Sequence, residues 1–248
     1  MELVVLTLIF AHRGSAGTHP ENTMEAFIEG ERAGADGMEL DVQLSKDGEI
    51  VVIHDETVDR TTNGKGFIKD LTLKEIKKLD ASYKYKKLLQ KVRIPTLREV
   101  FQWMKKNEMI CNIELKNGII PYPQLEAKVI ALIEEFGYEN RTIISSFNHY
   151  SIVHCYSLNP DVEIAPLYSN GLFMPWVYAQ SIHAKSIHPN IKVAPDALII
   201  DSMKAGVAVR PYTINSENLM KRLFSINCTA IITDYPEKAV KLKKNDEA

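Results

Sequence analysis

The sequence predicts an α/β protein, namely a (β/α)8 barrel (TIM barrel) with a small insertion after the second barrel strand. Apolar runs alternate with helical patterns along nearly the whole chain of 248 residues. Eight strands alternating with eight helices in about 250 residues is typical of this barrel. Continuous apolar runs such as Thr142-Ile143-Ile144 suit parallel strands that are buried on both faces. An open doubly wound sheet is the alternative, but no GxGxxG fingerprint follows any predicted strand.

The predicted elements are short, and polar or turn residues separate them. Predicted strands cover residues 7–11, 37–42, 110–116, 142–147, 163–168, 184–188, 207–214 and 230–233. Predicted helices cover residues 21–33, 96–106, 122–136, 149–157, 175–182, 195–205, 216–225 and 236–243. Pro20 suits a first helical turn, and Gly34, Gly137 and Gly206 stand where helices should stop.

The stretch between Ser45 and Pro95 interrupts this alternation, because it is too long for a loop between a strand and its helix. It contains a hairpin-like segment around Lys46-Asp47-Gly48 and a short helical pattern near 73–79. We interpret residues 46–95 as a small insertion over the carboxyl end of the barrel. Residues 1–248 are therefore expected to form a single catalytic domain.

The composition is that of an ordinary globular protein, with 45% hydrophobic residues, 25% charged residues and a net charge of −2. This charge balance argues against a nucleic-acid binder, which usually carries a basic stripe. The apolar run 1–10 lacks a basic region before it and a cleavage site after it. It is also shorter than the about 20 residues that span a bilayer. We therefore expect a cytoplasmic protein without stable membrane insertion. No feature predicts its oligomeric state.

Polar side chains stand at the carboxyl ends of most predicted strands, where the active site of such a barrel lies. These residues are His12, Arg13, Glu39, Asp41, Glu114, Lys116, His188, Tyr212, Asn215 and Asp234, and the apolar Phe147 ends a strand beside them. His54 follows a short apolar run in the insertion. A polar group at the end of a buried strand is costly to a core and useful to a site.

Three of these residues suit a metal ion. Glu39 and Asp41 are two positions apart, so on a strand they point to the same side, and Glu114 comes from the next barrel strand. Carboxylates held this close repel unless a cation or a proton lies between them. Hard oxygen ligands favour one divalent cation, Ca²⁺ or Mg²⁺. The alternative is a solvated strand end with ion pairs to Arg13 or Lys116.

The remaining charged groups suit acid–base chemistry at a phosphate ester. His12 and His54 are candidates for a general acid and a general base, because imidazole titrates near neutral pH. Arg13 and Lys116 are the cations expected around a phosphodiester anion, or else they neutralise the carboxylates. His188 also ends a predicted strand and is a further candidate to contact a substrate.

The chain resembles the glycerophosphodiester phosphodiesterases nearly from end to end. The matching stretches are Ala11-His12-Arg13-Gly14, Pro20-Glu21-Asn22-Thr23, Glu39-Leu40-Asp41-Val42, Lys46-Asp47-Gly48, Val52-Ile53-His54-Asp55, Arg60-Thr61-Thr62-Asn63-Gly64, Ile94-Pro95-Thr96-Leu97, Asn112-Ile113-Glu114-Leu115-Lys116, Ser146-Phe147 and Thr233-Asp234-Tyr235-Pro236. The resemblance implies metal-dependent hydrolysis of glycerophosphodiesters, such as glycerophosphocholine or glycerophosphoethanolamine, to glycerol 3-phosphate and an alcohol.

Carried over residue by residue, the resemblance implies roles for seven of these side chains. The implied roles are acid–base catalysis for His12 and His54, metal binding for Glu39, Asp41 and Glu114, and phosphate binding for Arg13 and Lys116. Phe147, His188 and Tyr212 are expected to contact the substrate. One departure is Tyr212-Thr213-Ile214-Asn215, where the family often has Trp-Thr-Val-Asn. Substrate preference is expected to differ there.

Two alternatives follow from the same residues. One is a phospholipase of the same barrel type, acting on lysophospholipids (a lysophospholipase D) or on phosphatidylinositol. It would need an apolar lip, for which residues 172–177 are the candidate. The other is a binding module that has lost turnover, but both histidines and all three carboxylates are present.

Overall fold

The computed structural model describes residues 7–82, 85 and 91–246. The strands in this part are β1 (Leu8–His12), β2 (Gly37–Leu44), β3 (Ile50–Val52), β4 (Ile110–Leu115), β5 (Thr142–Ser146), β6 (Glu163–Tyr168), β7 (Ser186–Pro189), β8 (Ala208–Val209) and β9 (Ala230–Thr233). The α-helices are α1 (Met24–Arg32), α2 (Leu73–Ile76), α3 (Leu97–Met104), α4 (Leu125–Phe136), α5 (His149–Leu158), α6 (Pro175–Ser181), α7 (Asp196–Lys204), α8 (Glu217–Ser225) and α9 (Pro236–Asp246).

Eight parallel strands form the predicted barrel, and a helix follows each of them along the chain. Their order around the barrel is β8-β7-β6-β5-β4-β2-β1-β9. Two backbone hydrogen bonds join the last strand to the chain that follows β8. Ile214 N–H donates to Ile232 O over 2.8 Å, and Ile232 N–H donates to Pro211 O over 3.1 Å. The (β/α)8 prediction is therefore confirmed.

Several predicted boundaries differ from the structure by a few residues, as two examples show. The strand predicted at 207–214 is a regular ladder only at β8, and the chain beyond it continues without regular strand pairing. The helix predicted from residue 21 begins at Met24, because the Thr23 side chain caps it by accepting a hydrogen bond from the Ala26 N–H. Asn22, just before the cap, has a left-handed backbone (φ 57°). The predicted first strand is described from Thr7 onward, and residues 1–6 lie outside the described part.

The core is divided between the inside and the outside of the barrel. Side chains that face outward from the strands, such as Leu40, Ile113 and Ile144, pack in one large cluster with the helices. A smaller cluster around Phe10 and Ile143 belongs to the inward-facing rows of the strands. Along the same inward rows, the residues nearer the carboxyl ends are polar, which leaves charged groups at that end.

The insertion begins as a hairpin on β2. Strand β3 pairs antiparallel with the end of β2, and Gly48 at the turn has φ +79°, a conformation that glycine adopts without strain. The insertion carries a hydrophobic cluster of its own, which includes Val58, Ile68 and Ile76. Residues 83–84 and 86–90 of the predicted insertion lie outside the described part. Within the described ranges, no helix combines the length and the apolarity needed to cross a membrane.

Candidate active site

Three carboxylates meet at the carboxyl ends of neighbouring strands. Glu39 and Asp41 lie on β2, and the strand register places Asp41 directly beside Glu114 on β4. One oxygen from each carboxylate lies within 4.8 Å of the other two. Glu39 and Asp41 are buried and Glu114 is nearly so. The i, i+2 spacing of Glu39 and Asp41, together with the strand register, therefore produces the cluster of hard oxygen ligands expected from the sequence.

The cluster shifts the pKa values of its own members. Burial, with Asp41 and Glu114 close by, raises the pKa of Glu39 well above its usual range. Burial and the neighbouring Asp41 raise the pKa of Glu114 to about 7. Burial acts in the same direction on Asp41, but the positive charges of Arg13 and Lys116 and the hydrogen bond from Asn22 outweigh it and lower that pKa. Negative charge is thus concentrated on Asp41 when the cluster is partly protonated.

The cluster also has an unused oxygen that fits a cation. Asp41 Oδ2 accepts a hydrogen bond from Asn22 Nδ2 over 2.8 Å. The buried Asp41 Oδ1 has no hydrogen-bond partner among the described residues, and Lys116 Nζ stays 3.9 Å from it. A buried carboxylate oxygen without a donor is costly, and a divalent cation would satisfy it. The donor set therefore fits one metal ion.

His12, at the end of β1, is held by a carboxylate on the opposite side of its ring. Its Nδ1 lies 2.6 Å from Asp234 Oδ1, and Asn215 Nδ2 donates to Asp234 Oδ2 over 2.6 Å. Its Nε2 lies 3.9 Å from Glu39 Oε2, at the edge of the carboxylate cluster. Because Nδ1 is used by Asp234, Nε2 is the nitrogen available for chemistry.

His54, from the insertion, has the same arrangement with different partners. Its Nδ1 lies 2.7 Å from Asp55 Oδ1, and its Nε2 lies 3.2 Å from Lys116 Nζ. Burial lowers the pKa of His54, and the nearby cations Arg13 and Lys116 act in the same direction. The neutral ring, protonated at Nδ1, is therefore favoured, and its Nε2 lone pair faces the Lys116 ammonium.

A chain of alternating charges connects the insertion to the barrel. Arg60 binds Asp55 through two hydrogen bonds of 2.6 and 2.9 Å. The same guanidinium binds Glu21 through two hydrogen bonds of 2.6 and 2.7 Å. Glu21 Oε1 also accepts a hydrogen bond from Arg13 over 2.8 Å. This network of Arg13, Glu21, Arg60 and Asp55 ends at His54, so we call it the Arg60 network.

Arg13 is fixed by the turn that follows β1. Its backbone has φ 51°, its N–H donates to Glu39 Oε2 over 2.9 Å, and its Nε lies 3.3 Å from Asp41 Oδ2. Burial alone would lower the pKa of Arg13, but Asp41, Glu39 and Glu21 raise it, so the guanidinium stays charged. Lys116 is likewise held by Glu114, whose Oε1 accepts from Nζ over 2.8 Å. Both cations therefore face the carboxylate cluster.

The three residues expected to contact a substrate fall into two groups. Phe147 is about half exposed, and its ring meets that of Tyr212 edge to face at 6.2 Å. The Tyr212 hydroxyl donates to Tyr168 O over 3.1 Å. His188, by contrast, is fully buried on the inward row of β7, and burial holds its pKa well below the usual range. His188 has no exposed surface in this structure, so its contact with a substrate stays a prediction.

Several partners of the site were not predicted as site residues, namely Glu21, Asn22, Asp55 and Arg60. Asn215 and Asp234 were placed at the carboxyl ends of the strands, but without a role. Asp55 directly follows His54, and that adjacency was the available signal. For Glu21 and Arg60 the signal was their place in two of the motifs that carry the family resemblance. Except for Asp55, each of these residues contacts another side chain that is distant in sequence, and a pairing of that kind has no signature in a single sequence.

The barrel and the groups at its carboxyl end define a phosphodiesterase of the (β/α)8 class. The glycerophosphoryl diester phosphodiesterase family model matches residues 12–238. The chain belongs to this family.

Relatives support this assignment over nearly the full length of the chain. A glycerophosphodiester phosphodiesterase of Caldanaerobacter subterraneus subsp. tengcongensis is 48% identical, covering 95% of this chain and 97% of the relative. One from Bacillus altitudinis is 44% identical, covering 96% and 99%. Among solved structures, an Oleispira antarctica phosphodiesterase in complex with its product sn-glycerol-3-phosphate matches with a TM-score of 0.85. It is 31% identical and covers 96% of this chain and 97% of that one.

Proposed function

We propose that this phosphodiesterase hydrolyses glycerophosphodiesters, such as glycerophosphocholine, to glycerol 3-phosphate and an alcohol. The observation that carries the proposal is the meeting of Glu39, Asp41 and Glu114 between two histidines, each held by an aspartate. The Oleispira antarctica relative binds the corresponding product, which supports the same substrate class for this chain.

One divalent cation, Ca²⁺ or Mg²⁺, would be held by Glu39, Asp41 and Glu114. When bound, such an ion polarises a phosphoryl oxygen and stabilises negative charge in the transition state. Arg13 and Lys116 would bind the phosphodiester anion beside it. Arg13 offers a planar fork and Lys116 a point charge, and both are already held against the carboxylates.

His12 and His54 would transfer the protons. One Nε2 takes a proton from the nucleophile, and the other gives a proton to the oxygen of the leaving alcohol. Asp234 and Asp55 stabilise the imidazolium that forms on either side, since each accepts from Nδ1. Each such transfer contributes typically about 10²–10⁴-fold in rate. The nucleophile is water or the neighbouring hydroxyl of the glycerol, which would give a cyclic phosphate first.

Replacing each histidine tests this scheme. We expect His12→Ala and His54→Ala to lower kcat on glycerophosphocholine by at least about 10²-fold. Cation binding, measured by calorimetry, should remain in both variants because neither histidine is a proposed ligand. His154→Ala is the matched control, since His154 is exposed on α5 and outside the site. Near-normal turnover in either site variant would contradict the scheme, as would an equal loss in the control.

The proposal also covers the cellular location, the domain organisation and the type of substrate of the enzyme. Cys111, Cys155 and Cys228 are buried free thiols, which is usual for a protein of a reducing compartment. We therefore infer a cytoplasmic location, and a single catalytic domain over residues 1–248 that includes the insertion at about 46–95. The low net charge supports a small-molecule substrate instead of a nucleic acid.

A further inference from the structure

The main chain that carries His54 is held by one buried side chain, that of Gln43. This residue lies on β2 two positions beyond Asp41, so alternation along the strand places both on the same side. Its Nε2 donates to the carbonyl oxygens of three consecutive residues, to Ile53 O over 3.1 Å, His54 O over 3.0 Å and Asp55 O over 2.6 Å. One amide therefore restrains the main chain on both sides of a proposed acid–base residue.

The Gln43 amide is fixed at both of its ends. Carbonyl oxygens only accept hydrogen bonds, so the nitrogen and not the oxygen of the amide must face the three carbonyls. Its Oε1 faces the other way and accepts a hydrogen bond from the Tyr122 hydroxyl over 2.8 Å. Both Gln43 and Tyr122 are buried. The amide therefore cannot rotate without leaving buried polar groups unpaired, which is costly.

The three carbonyls depend on this donor. Their oxygens converge on a single nitrogen, and its two hydrogens must be shared among three acceptors. Within the described ranges, no other protein group donates to these oxygens. Carbonyl groups that converge in this way repel one another when no donor lies between them. Loss of the Gln43 amide should therefore let the main chain around His54 move to a different conformation.

Tyr122 extends the same restraint to the segment that follows β4. This segment begins with Lys116, whose Nζ lies 3.2 Å from His54 Nε2. The insertion and the segment after β4 are therefore joined twice. One connection runs through the side chains of His54 and Lys116, and the other runs from the main chain of the insertion through Gln43 to Tyr122.

We propose that Gln43 is a positioning residue for the hydrolysis, and that it sets the place of His54 Nε2 by fixing the main chain of residues 53–55. The proposal rests on the proposed function, in which His54 transfers a proton. The Arg60 network orients the imidazole ring through Asp55, whereas Gln43 fixes the main chain from which the ring extends. A displacement of about 1 Å in a group of this kind can cost about 10²-fold in rate.

Two substitutions test the two ends of the amide. Gln43→Met keeps an unbranched side chain of similar length but removes the donor. We expect it to lower kcat on glycerophosphocholine, with Ca²⁺ or Mg²⁺ present, by about 10–100-fold. KM should change by less than about threefold, because substrate binding is assigned to other residues. Tyr122→Phe removes only the hydroxyl and should lower kcat by about 2- to 10-fold, the effect of one hydrogen bond.

Tyr138→Phe is the matched control for the loss of a buried tyrosine hydroxyl. Tyr138 is buried before β5, at the amino end of the barrel, and its hydroxyl donates to Phe101 O over 3.3 Å. Its substitution should leave kcat unchanged. Thermal unfolding of every variant confirms that the comparison is made between folded proteins.

A double-mutant cycle separates positioning from a general structural role. If Gln43 acts through His54, adding Gln43→Met to the His54→Ala enzyme should lower the residual kcat by less than about twofold. A residue that only supports the fold would lower kcat by the same factor in both backgrounds. Cation binding, measured by calorimetry, should be retained in Gln43→Met because Gln43 is not a proposed ligand.

The outcomes distinguish this proposal from the proposed function. A loss of kcat in Gln43→Met that disappears in the His54→Ala background supports positioning through His54. A wild-type kcat in Gln43→Met, the same loss in both backgrounds, or the loss of cation binding overturns it and leaves the proposed function standing. If Gln43→Met does not fold, the same cycle is measured with Tyr122→Phe, and an undiminished loss in the His54→Ala background overturns the proposal. A wild-type enzyme that hydrolyses no glycerophosphodiester with either cation refutes the proposed function, and the role of Gln43 falls with it.

Discussion

Glu114 shows how the carboxylates of the proposed metal site are held close together in the absence of a cation. Its carboxyl group is nearly buried beside Asp41. Burial, and to a lesser extent the charge of Asp41, raises its pKa to about 7. Glu39 is shifted in the same direction. Without a cation, protons take the place of positive charge between the carboxylates. A cation that binds must displace them, which couples metal affinity to pH.

We therefore predict that cation binding releases about one proton or more when the pH is below about 7. Affinity for Ca²⁺ or Mg²⁺ should fall by about tenfold for each pH unit and each proton displaced, because the metal competes with protonation of Glu114. Calorimetry in buffers of different ionisation enthalpy measures the number of protons. In Glu114→Gln we expect weaker binding with fewer protons released. Binding that is equally tight at pH 5.5 and pH 8 would contradict the prediction.

The meeting of the three proposed ligand residues was predictable from sequence because their types and positions both follow from local rules. Alternation along a strand places Glu39 and Asp41 on one side, and the barrel places Glu114 beside them. Asp234 was predicted at the same end of the barrel, but its pairing with His12 was not. Asp234 is 222 residues from His12 along the chain, and only closure of the barrel between β9 and β1 brings the two together.

Among the elements of the fold, the turn between β1 and α1 requires a glycine at position 14. Gly14 has φ +78°, and a Cβ at this position would lie 2.5 Å from the carbonyl carbon of Ala26 in α1. Gly137, after α4, has a similar φ of +65° but open space where a Cβ would point. An alanine would therefore have to adopt a left-handed backbone at both positions, but its Cβ would clash with another atom only at position 14.

We expect Gly137→Ala to cost about 1–2 kcal/mol in the free energy of unfolding, from the left-handed backbone alone. Gly14→Ala should cost at least about 1 kcal/mol more, because α1 or the turn must move. It should also lower kcat/KM, since the adjacent Arg13 would shift relative to Glu39. Denaturant unfolding and turnover assays on both variants provide the measurements. Equal destabilisation would show that the contact with Ala26 is relieved without cost.

The Arg60 network is the second device at this scale, and within it Arg60 acts on His54 through Asp55, with no hydrogen bond of its own to the carboxylate cluster. Arg60 orients Asp55 by a hydrogen bond to its Oδ2. The Oδ1 of Asp55 in turn lies within hydrogen-bond distance of His54 Nδ1 and fixes the orientation of that ring. Removing a residue that orients a catalytic group typically costs about 10–100-fold. We expect Arg60→Gln to lower kcat by this amount and to alter the pH profile of kcat, with a smaller change in KM. Arg60→Lys should recover part of the loss.

Arg32→Gln is the control for that experiment. Arg32 makes a comparable two-bonded pair with Glu29, but the pair is on the exposed side of α1. Its loss should change neither kcat nor the pH profile, because exposed pairs contribute little and this one is remote from the site. An Arg60→Gln enzyme with the wild-type kcat and pH profile would exclude a positioning role.

Elements with a strong pattern were predicted well, and the differences have local causes. The eight strand and helix pairs follow from long apolar runs and clear stop signals. The strand predicted at 207–214 is a regular ladder only at β8, although the chain beyond it still pairs with Asn190 through Tyr212 and with Ile232 through Ile214. His188 was predicted to contact the substrate because it ends a predicted strand. In the structure β7 extends to Pro189 and His188 is fully buried.

The whole molecule combines a barrel and an insertion, and the site needs both. The barrel supplies the carboxylates and His12, and the insertion supplies His54. Glu21 stands at the joint, because it precedes α1 of the barrel and binds Arg60 of the insertion. The Tyr85 hydroxyl also donates to Ala16 O across this joint. Stability and catalysis are therefore connected through the same contacts.

The contacts of Glu21 at this joint should make the free energy of unfolding depend on pH in the acidic range. Burial alone would raise the pKa of Glu21, but Arg60 and Arg13 lower it below its usual value. A carboxylate with a lowered folded-state pKa stabilises the protein fully above its unfolded pKa of about 4.3. That contribution is lost as the pH falls through the lower folded-state value.

We predict that Glu21→Gln lowers the free energy of unfolding by about 2–3 kcal/mol at pH 7, because two guanidinium groups lose a charged acceptor. The difference from the wild type should stay constant down to about pH 5 and then shrink toward acid, since the wild-type carboxylate is protonated there. Denaturant unfolding at a series of pH values measures it. Glu29→Gln, at the exposed pair with Arg32, should differ from the wild type by less than about 1 kcal/mol throughout. A Glu21→Gln difference that persists unchanged at pH 3 would mean that packing, and not the charge at the joint, holds the insertion on the barrel.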